Sequence, residues 1–130
     1  MKNKLVKKIA TFGVIVSMFS TVAYAGTSYS YYRTTVGKFN GNGYTSYQTK
    51  SIGGANGNIK STKVGGGYSV DARMNSSVGN GEWARDIKTG TKTYLPGNSN
   101  QLKGTSVRLQ FSNDVTTPVD VQVSGSWQSN

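Results

Sequence analysis

Apolar and polar residues alternate along three segments of this chain, at positions 68–75, 107–111 and 119–127. Successive side chains of an extended strand point to opposite faces, so a period of two gives each segment one apolar and one polar face. After residue 25, no stretch places apolar residues at helical spacing over three turns. The pattern predicts an all-β, antiparallel protein in which each strand buries one face.

Turn-forming residues divide the chain into about seven to eight short strands. Four Asn-Gly pairs, Thr89-Gly90 and Pro96-Gly97 tolerate the backbone angles of tight turns. The candidate strands are residues 28–39, 44–50, 58–64, 67–75, 82–88, 91–95, 102–111 and 115–127. This spacing is typical of a β-sandwich or a barrel. We favour the sandwich because Pro118 falls inside the last candidate strand, and proline prefers an edge or a bulge.

The first 25 residues have the features of a signal peptide. The cationic head contains Lys2, Lys4, Lys7 and Lys8. An uncharged run at 9–22 follows, then Ala23-Tyr24-Ala25, which a signal peptidase would cut between Ala25 and Gly26. The run is shorter than the ~20 residues that span a bilayer. We therefore expect residues 1–25 to be removed, leaving no transmembrane anchor and a single secreted, extracellular domain at 26–130.

The expected mature domain is strongly basic and cannot form disulfides. The chain has 15 Lys and Arg residues, 5 acidic residues and no cysteine. Four lysines lie in the leader, which leaves 15 − 4 = 11 basic residues and a balance of 11 − 5 = +6. Such a charge favours anionic partners, although it also keeps a small exported protein soluble. The basic residues form no continuous run, so we expect no nucleic-acid partner.

Composition also excludes most catalytic chemistry. The chain contains no histidine and no cysteine, which rules out the usual nucleophilic triads and most zinc and copper sites. Glu82 and Asp86 are the closest carboxylate pair, but ~13 Å along a strand is too far for a glycosidase. Asp71 is expected to face solvent beside Arg73. We expect no enzyme activity, no catalytic residue, no metal and no cofactor.

Tyrosines crowded near basic residues are the main binding candidates. Exposed tyrosines beside cations suit sugar stacking or contact with an anionic polymer, whereas the same rings also form ordinary cross-strand pairs. Because neighbouring tyrosines differ in strand parity, at least one ring per strand should be exposed. The candidate binding residues are Tyr29, Tyr31, Tyr32, Arg33, Lys38, Tyr44, Tyr47 and Lys50. Trp83 and Trp127 are expected to be core or capping residues.

The leader ending in Ala23-Tyr24-Ala25, the cysteine-free body and the tail Val123-Ser124-Gly125-Ser126-Trp127 resemble small secreted β-sandwich proteins of Gram-positive bacteria. One such group is an uncharacterised family with a Val-Ser-Gly-x-Trp tail. The lactococcin-type bacteriocins are a more distant likeness, since this chain lacks histidine and has a longer body. The resemblance implies export, a β-sandwich and action on a cell envelope, and it transfers no site residues.

These features predict a secreted, cationic, bacteriocin-like antimicrobial protein that acts at the cell envelope of competing bacteria. Its expected partner is an anionic envelope polymer or a wall precursor. One alternative is a non-enzymatic module on the producer's surface that binds polysaccharide or has a structural role. The other is an inhibitor of an exported enzyme that presents the loop at residues 91–101.

Overall fold

The structure is a computed structural model that describes residues 26–130. The predicted signal peptide, including Ala25 on one side of the cleavage site, lies outside the described residues. Within these residues, ten strands and one 3-10 turn, Gly65–Gly67, follow one another. The strands are β1 (Ser30–Val36), β2 (Asn42–Tyr44), β3 (Gln48–Thr49), β4 (Gly57–Val64), β5 (Val70–Ser76), β6 (Gly79–Asn80), β7 (Ala84–Ile87), β8 (Lys92–Leu95), β9 (Ser106–Ser112) and β10 (Val121–Gln128).

The strands form two antiparallel sheets, which confirms the predicted all-β sandwich. The first sheet has four strands in the order β1-β10-β4-β8. The second has the order β2-β9-β5-β6, with β3 also pairing with β9 and β7 with β5. Strands that follow each other in sequence often lie in different sheets, as β1 and β2 do.

The core lies between the sheets and uses the apolar residues that the alternation predicts. Tyr32 of the first sheet and Phe111 of the second meet with their ring centroids 5.2 Å apart. Trp127 is buried, as predicted. The other buried apolar side chains are Val36, Ile59, Val64, Leu95, Val121 and Val123 on the first sheet, and Val70, Ala72, Met74, Ala84, Ile87, Val107 and Leu109 on the second.

Two details of the strand prediction are wrong. There are more strands than seven to eight, because short strands such as β3 and β6 add to the second sheet. The last strand begins at Val121, so Pro118 lies in the preceding loop. That strand, β10, is also central in its sheet rather than at an edge. The sandwich prediction is thus correct, but proline was not a valid reason for it.

Of the four Asn-Gly pairs, Asn40-Gly41 forms the expected tight turn. Gly41 donates its backbone N–H to the carbonyl of Lys38 at 3.2 Å, and Asn40 has a φ of 64°. The pair Asn42-Gly43 instead lies within β2, and Gly57 begins β4. In both places, pairing with a neighbouring strand determines the backbone conformation and overrides the local turn preference.

Candidate functional site

The outer face of the four-stranded sheet carries the cations of its strands, in two neighbouring rows across the sheet. Alternation along β1 turns Tyr31 and Arg33 outward. On β4, a register shift between Ser61 and Lys63 lets both Lys60 and Lys63 face outward. The central strand β10 contributes small polar side chains between them. In the strand register, Tyr31 lies opposite Ser126, Ser126 opposite Lys60, and Lys60 opposite Lys92. We call this surface the basic face; its members are Tyr29, Tyr31, Arg33, Lys60, Lys63, Lys92 and Tyr94.

The basic face has no acidic counterpart in its own sheet. None of the four strands β1, β10, β4 and β8 contains Asp or Glu. The acidic residues of the chain are Asp71, Glu82, Asp86, Asp114 and Asp120, which lie in the second sheet or in loops. Lys60 and Lys92 therefore face each other across neighbouring strands as a pair of like charges, an arrangement that costs stability.

Three tyrosines lie beside the cations of the basic face. The Lys60 ammonium lies 4.0 Å from the centroid of the Tyr29 ring, a cation–π contact. Tyr31 and Tyr94 are 72% and 74% exposed. A depression of about 360 Å³ is lined by Tyr31, Arg33 and Lys63, and one of about 170 Å³ by Lys92 and Tyr94. The face thus offers positive charge, aromatic area and hydroxyl groups on one side of the molecule.

The structure separates the eight residues that the sequence suggested for binding. It places Tyr29, Tyr31 and Arg33 on the basic face. Lys38 lies in the turn after β1, at one end of the sandwich. Tyr32 and Lys50 are buried, with 3% and 1% of their surface exposed, so neither can contact an external partner. The prediction that one of the paired tyrosines is exposed is confirmed for Tyr31, while Tyr32 faces the core.

The remaining two candidates, Tyr44 and Tyr47, lie with the second sheet. Arg108 of β9 places its guanidinium 4.1 Å from the ring centroid of Tyr44 and 5.1 Å from that of Tyr47. Both tyrosines are near Tyr32 in sequence, but the chain crosses between sheets after β1.

Four members of the basic face were missed as site residues: Lys60, Lys63, Lys92 and Tyr94. Alternation with buried Ile59 and Leu95 was the available signal for Lys60, Lys92 and Tyr94, whereas Lys63 shares their face only because of the register shift in β4.

Lys50 has a structural rather than a surface position. Its ammonium donates hydrogen bonds to the carbonyls of Ala55 and Ser129, both at 2.6 Å. Burial lowers the pKa of Lys50, because desolvation disfavours the charged form. Nearby Gln48 accepts from the Ser129 N–H and donates to the Trp127 carbonyl. Together these two side chains fasten the end of β10 to the second sheet.

Two further predictions about individual side chains are wrong. Trp83 is outside the hydrophobic core and only partly buried, with the Arg73 guanidinium 4.4 Å from its ring centroid. Asp71 is largely buried and pairs with Arg85 at 2.8 Å, not with Arg73. The cause is the strand pairing of β5 with β7, which brings Arg85 beside Asp71.

Within residues 26–130, no three His, Cys, Asp or Glu side chains gather in a way that could hold a metal ion. The same residues include no helix of the length and apolar character needed to cross a bilayer. In the loop suggested for enzyme inhibition, Leu95 is fully buried in the core. No protein-family model matches this chain, and neither a curated protein nor a solved structure matches it.

Proposed function

We propose that this protein is a non-enzymatic cationic protein that binds an anionic polymer of the bacterial cell envelope through the basic face. The observation that carries the proposal is the row of Lys60 and Lys92, directly opposite each other in a sheet without acidic residues. Their mutual repulsion is a cost to the folded protein. A bound polyanion would neutralise both charges and offset that cost.

The shape of the basic face suits an extended polymer better than a small ligand. Four strands about 4.8 Å apart make a surface roughly 14 Å across, with cations on three of the strands. Its cations are divided between two depressions, one lined by Arg33 and Lys63 and the other by Lys92. A polymer with repeated phosphates, such as a teichoic acid, can contact Arg33, Lys63 and Lys60 together. The tyrosine rings add contact area and hydroxyl hydrogen bonds.

The test compares two triple variants of equal charge. Lys60→Gln/Lys63→Gln/Lys92→Gln removes cations from the basic face, and Lys38→Gln/Lys88→Gln/Lys103→Gln removes exposed lysines elsewhere. Binding to purified poly(glycerol phosphate) teichoic acid is measured by calorimetry at low salt. Each lysine near an anionic surface contributes about 1 kcal/mol, so the face variant should bind about a hundredfold more weakly. The Lys38→Gln/Lys88→Gln/Lys103→Gln control should lose much less affinity.

Salt provides a second measurement on the same proteins. Because the attraction is between exposed charges, affinity of the unmodified protein should fall steeply as the ionic strength approaches about 1 M, where the Debye length is ~3 Å. Equal losses of teichoic-acid affinity in the two triple variants would mean that binding depends only on the net charge of the protein. That result would remove the basic face as a site.

The antimicrobial role is the biological part of the proposal. It is supported by the cationic surface, by the leader and by the resemblance to exported bacterial proteins. The chain beginning at Gly26 should inhibit growth of related Gram-positive strains, and the Lys60→Gln/Lys63→Gln/Lys92→Gln variant should not. A protein that binds teichoic acid and inhibits no strain would instead be a module of the producer's own surface.

A further inference from the structure

The outer face of the second sheet carries a different kind of surface, centred on Trp83. This residue lies just before β7 and is only partly buried. Trp83 and Arg85 together line two neighbouring concavities of about 590 and 500 Å³. The larger one is also lined by Asn42, Ser112 and Asn113. The Trp83 indole lies between two polar concavities on the solvent-facing side of the sheet. It is therefore not needed to fill the core.

Neighbouring arginines hold the Trp83 ring in place. Arg73 lies 4.4 Å from the ring centroid and donates its Nε–H to Gln110 at 2.8 Å. Arg85 lies 5.9 Å from the centroid and donates to the Asp71 carboxylate at 2.8 Å. Both guanidinium groups are thus fixed by a second bond. A ring held in this way loses little conformational freedom when a ligand packs against it.

The larger concavity is polar and carries one net negative charge, because Asp114 lines it beside Asp71 and Arg85. Asp71 and Arg85 neutralise each other across their ion pair. Asn113 is 1% exposed and donates from its side-chain amide to the carbonyls of Val36 and Gly37. Its amide oxygen has no hydrogen-bond partner among residues 26–130. Amides and hydroxyls around one aromatic ring match a ligand with many hydroxyls and a flat apolar face.

We propose that this surface is a binding site for an uncharged oligosaccharide. One sugar ring packs against Trp83, and a neighbouring unit occupies the concavity lined by Asn42 and Ser112. The apolar face of a sugar ring gains contact area on the indole, while its hydroxyls exchange hydrogen bonds with the side chains around it. This site lies on the sheet opposite the basic face and does not depend on the envelope polymer proposed above.

The experiment uses three uncharged probes: chitotetraose, cellotetraose and maltotetraose. Binding is followed by tryptophan fluorescence and calorimetry in about 0.5 M NaCl, where charge-driven binding is screened. At least one tetrasaccharide should bind and shield the Trp83 indole from a soluble quencher. Trp83→Ala should weaken that binding at least tenfold. Tyr94→Ala, which removes an exposed ring from the other sheet, should leave it unchanged.

Thermal melting of each variant establishes that it is folded, and Trp83→Phe, which keeps an aromatic ring, should retain part of the affinity. Trp83→Ala should still bind teichoic acid at low salt, and the Lys60→Gln/Lys63→Gln/Lys92→Gln variant should still bind the sugar. These two results separate failure of this site from failure of the basic face. The saccharide site is overturned if none of the probes binds at concentrations on the order of 10 mM. It is equally overturned if folded Trp83→Ala binds as well as the unmodified protein.

Discussion

Lys50 shows how one side chain can have a role that its residue type does not suggest. A buried ammonium loses hydration, and here two backbone carbonyls replace it. Lys50→Ala would remove both hydrogen bonds and leave a cavity, so we expect the free energy of unfolding to fall by about 2–4 kcal/mol. Urea unfolding of the chain at 26–130 measures the change.

The matched control for Lys50 is Lys103→Ala. Lys103 is exposed, and truncating it should alter stability by no more than about 0.5 kcal/mol. Similar midpoints for the two variants would show that the contacts of Lys50 with Ala55 and Ser129 contribute nothing.

Buried Tyr32 should make the free energy of unfolding fall with pH in the alkaline range. Burial raises the pKa of Tyr32 above its ordinary value of 10.0. Above pH 10 the unfolded chain loses this proton while the folded protein keeps it, so the stability contributed by Tyr32 is present below that pH and lost as pH rises. Relative to Tyr32→Phe, the unmodified protein should lose about 1.4 kcal/mol per pH unit above pH 10.

The measurement is a series of urea unfolding curves for both proteins between neutral pH and about pH 12. Taking the difference removes the titration of the other tyrosines and of Lys50, which both chains share. Parallel curves for the unmodified protein and Tyr32→Phe would contradict the role of burial.

At the scale of elements, the central strand β10 explains the glycine in the tail motif. Gly125 lies at a bulge where β10 shifts register against β4. A Cβ at this position would come within 2.7 Å of the Tyr32 hydroxyl and would also collide with the backbone of Lys60. Gly125→Ala should therefore destabilise the protein by about 1–3 kcal/mol. The added methyl group would force the paired strands β4 and β10 apart, because neither backbone has room to move.

Thermal and urea unfolding should separate Gly125→Ala from Ser126→Ala. Ser126 points outward from the same strand, so its truncation should change stability by less than about 0.5 kcal/mol. If Gly125→Ala were as stable as the unmodified protein, β4 and β10 would not be in the close contact described here.

Sequence alternation predicted the strands far better than it predicted which of them share a surface. Period-two patterning identifies the buried side of β10 through Val121, Val123 and Trp127, because burial acts on each strand separately. The basic face depends instead on β10 lying between β1 and β4, which are distant in sequence. Tyr44 and Tyr47 were grouped with Tyr31 for the same reason, since chain proximity does not indicate which sheet a strand joins.

At the scale of the whole molecule, the two proposed sites lie on opposite outer faces of the sandwich. A ligand on the basic face and one at Trp83 should therefore occupy the same molecule without competing. The protein could then link an anionic polymer to an uncharged glycan. The test mixes labelled teichoic acid, the protein and an insoluble glycan whose tetrasaccharide binds. At low salt the unmodified protein should carry the label into the pellet.

Each site should be necessary within a single molecule for this bridging. The Lys60→Gln/Lys63→Gln/Lys92→Gln variant should reach the pellet without the label, and Trp83→Ala should keep the label in solution. A mixture of these two variants should also fail, because neither molecule has both sites. High salt should release the label while leaving the unmodified protein on the glycan, since screening weakens only the contact between charges. Full recovery by the mixed variants would instead indicate that association between protein molecules, not two faces of one sandwich, produces the link.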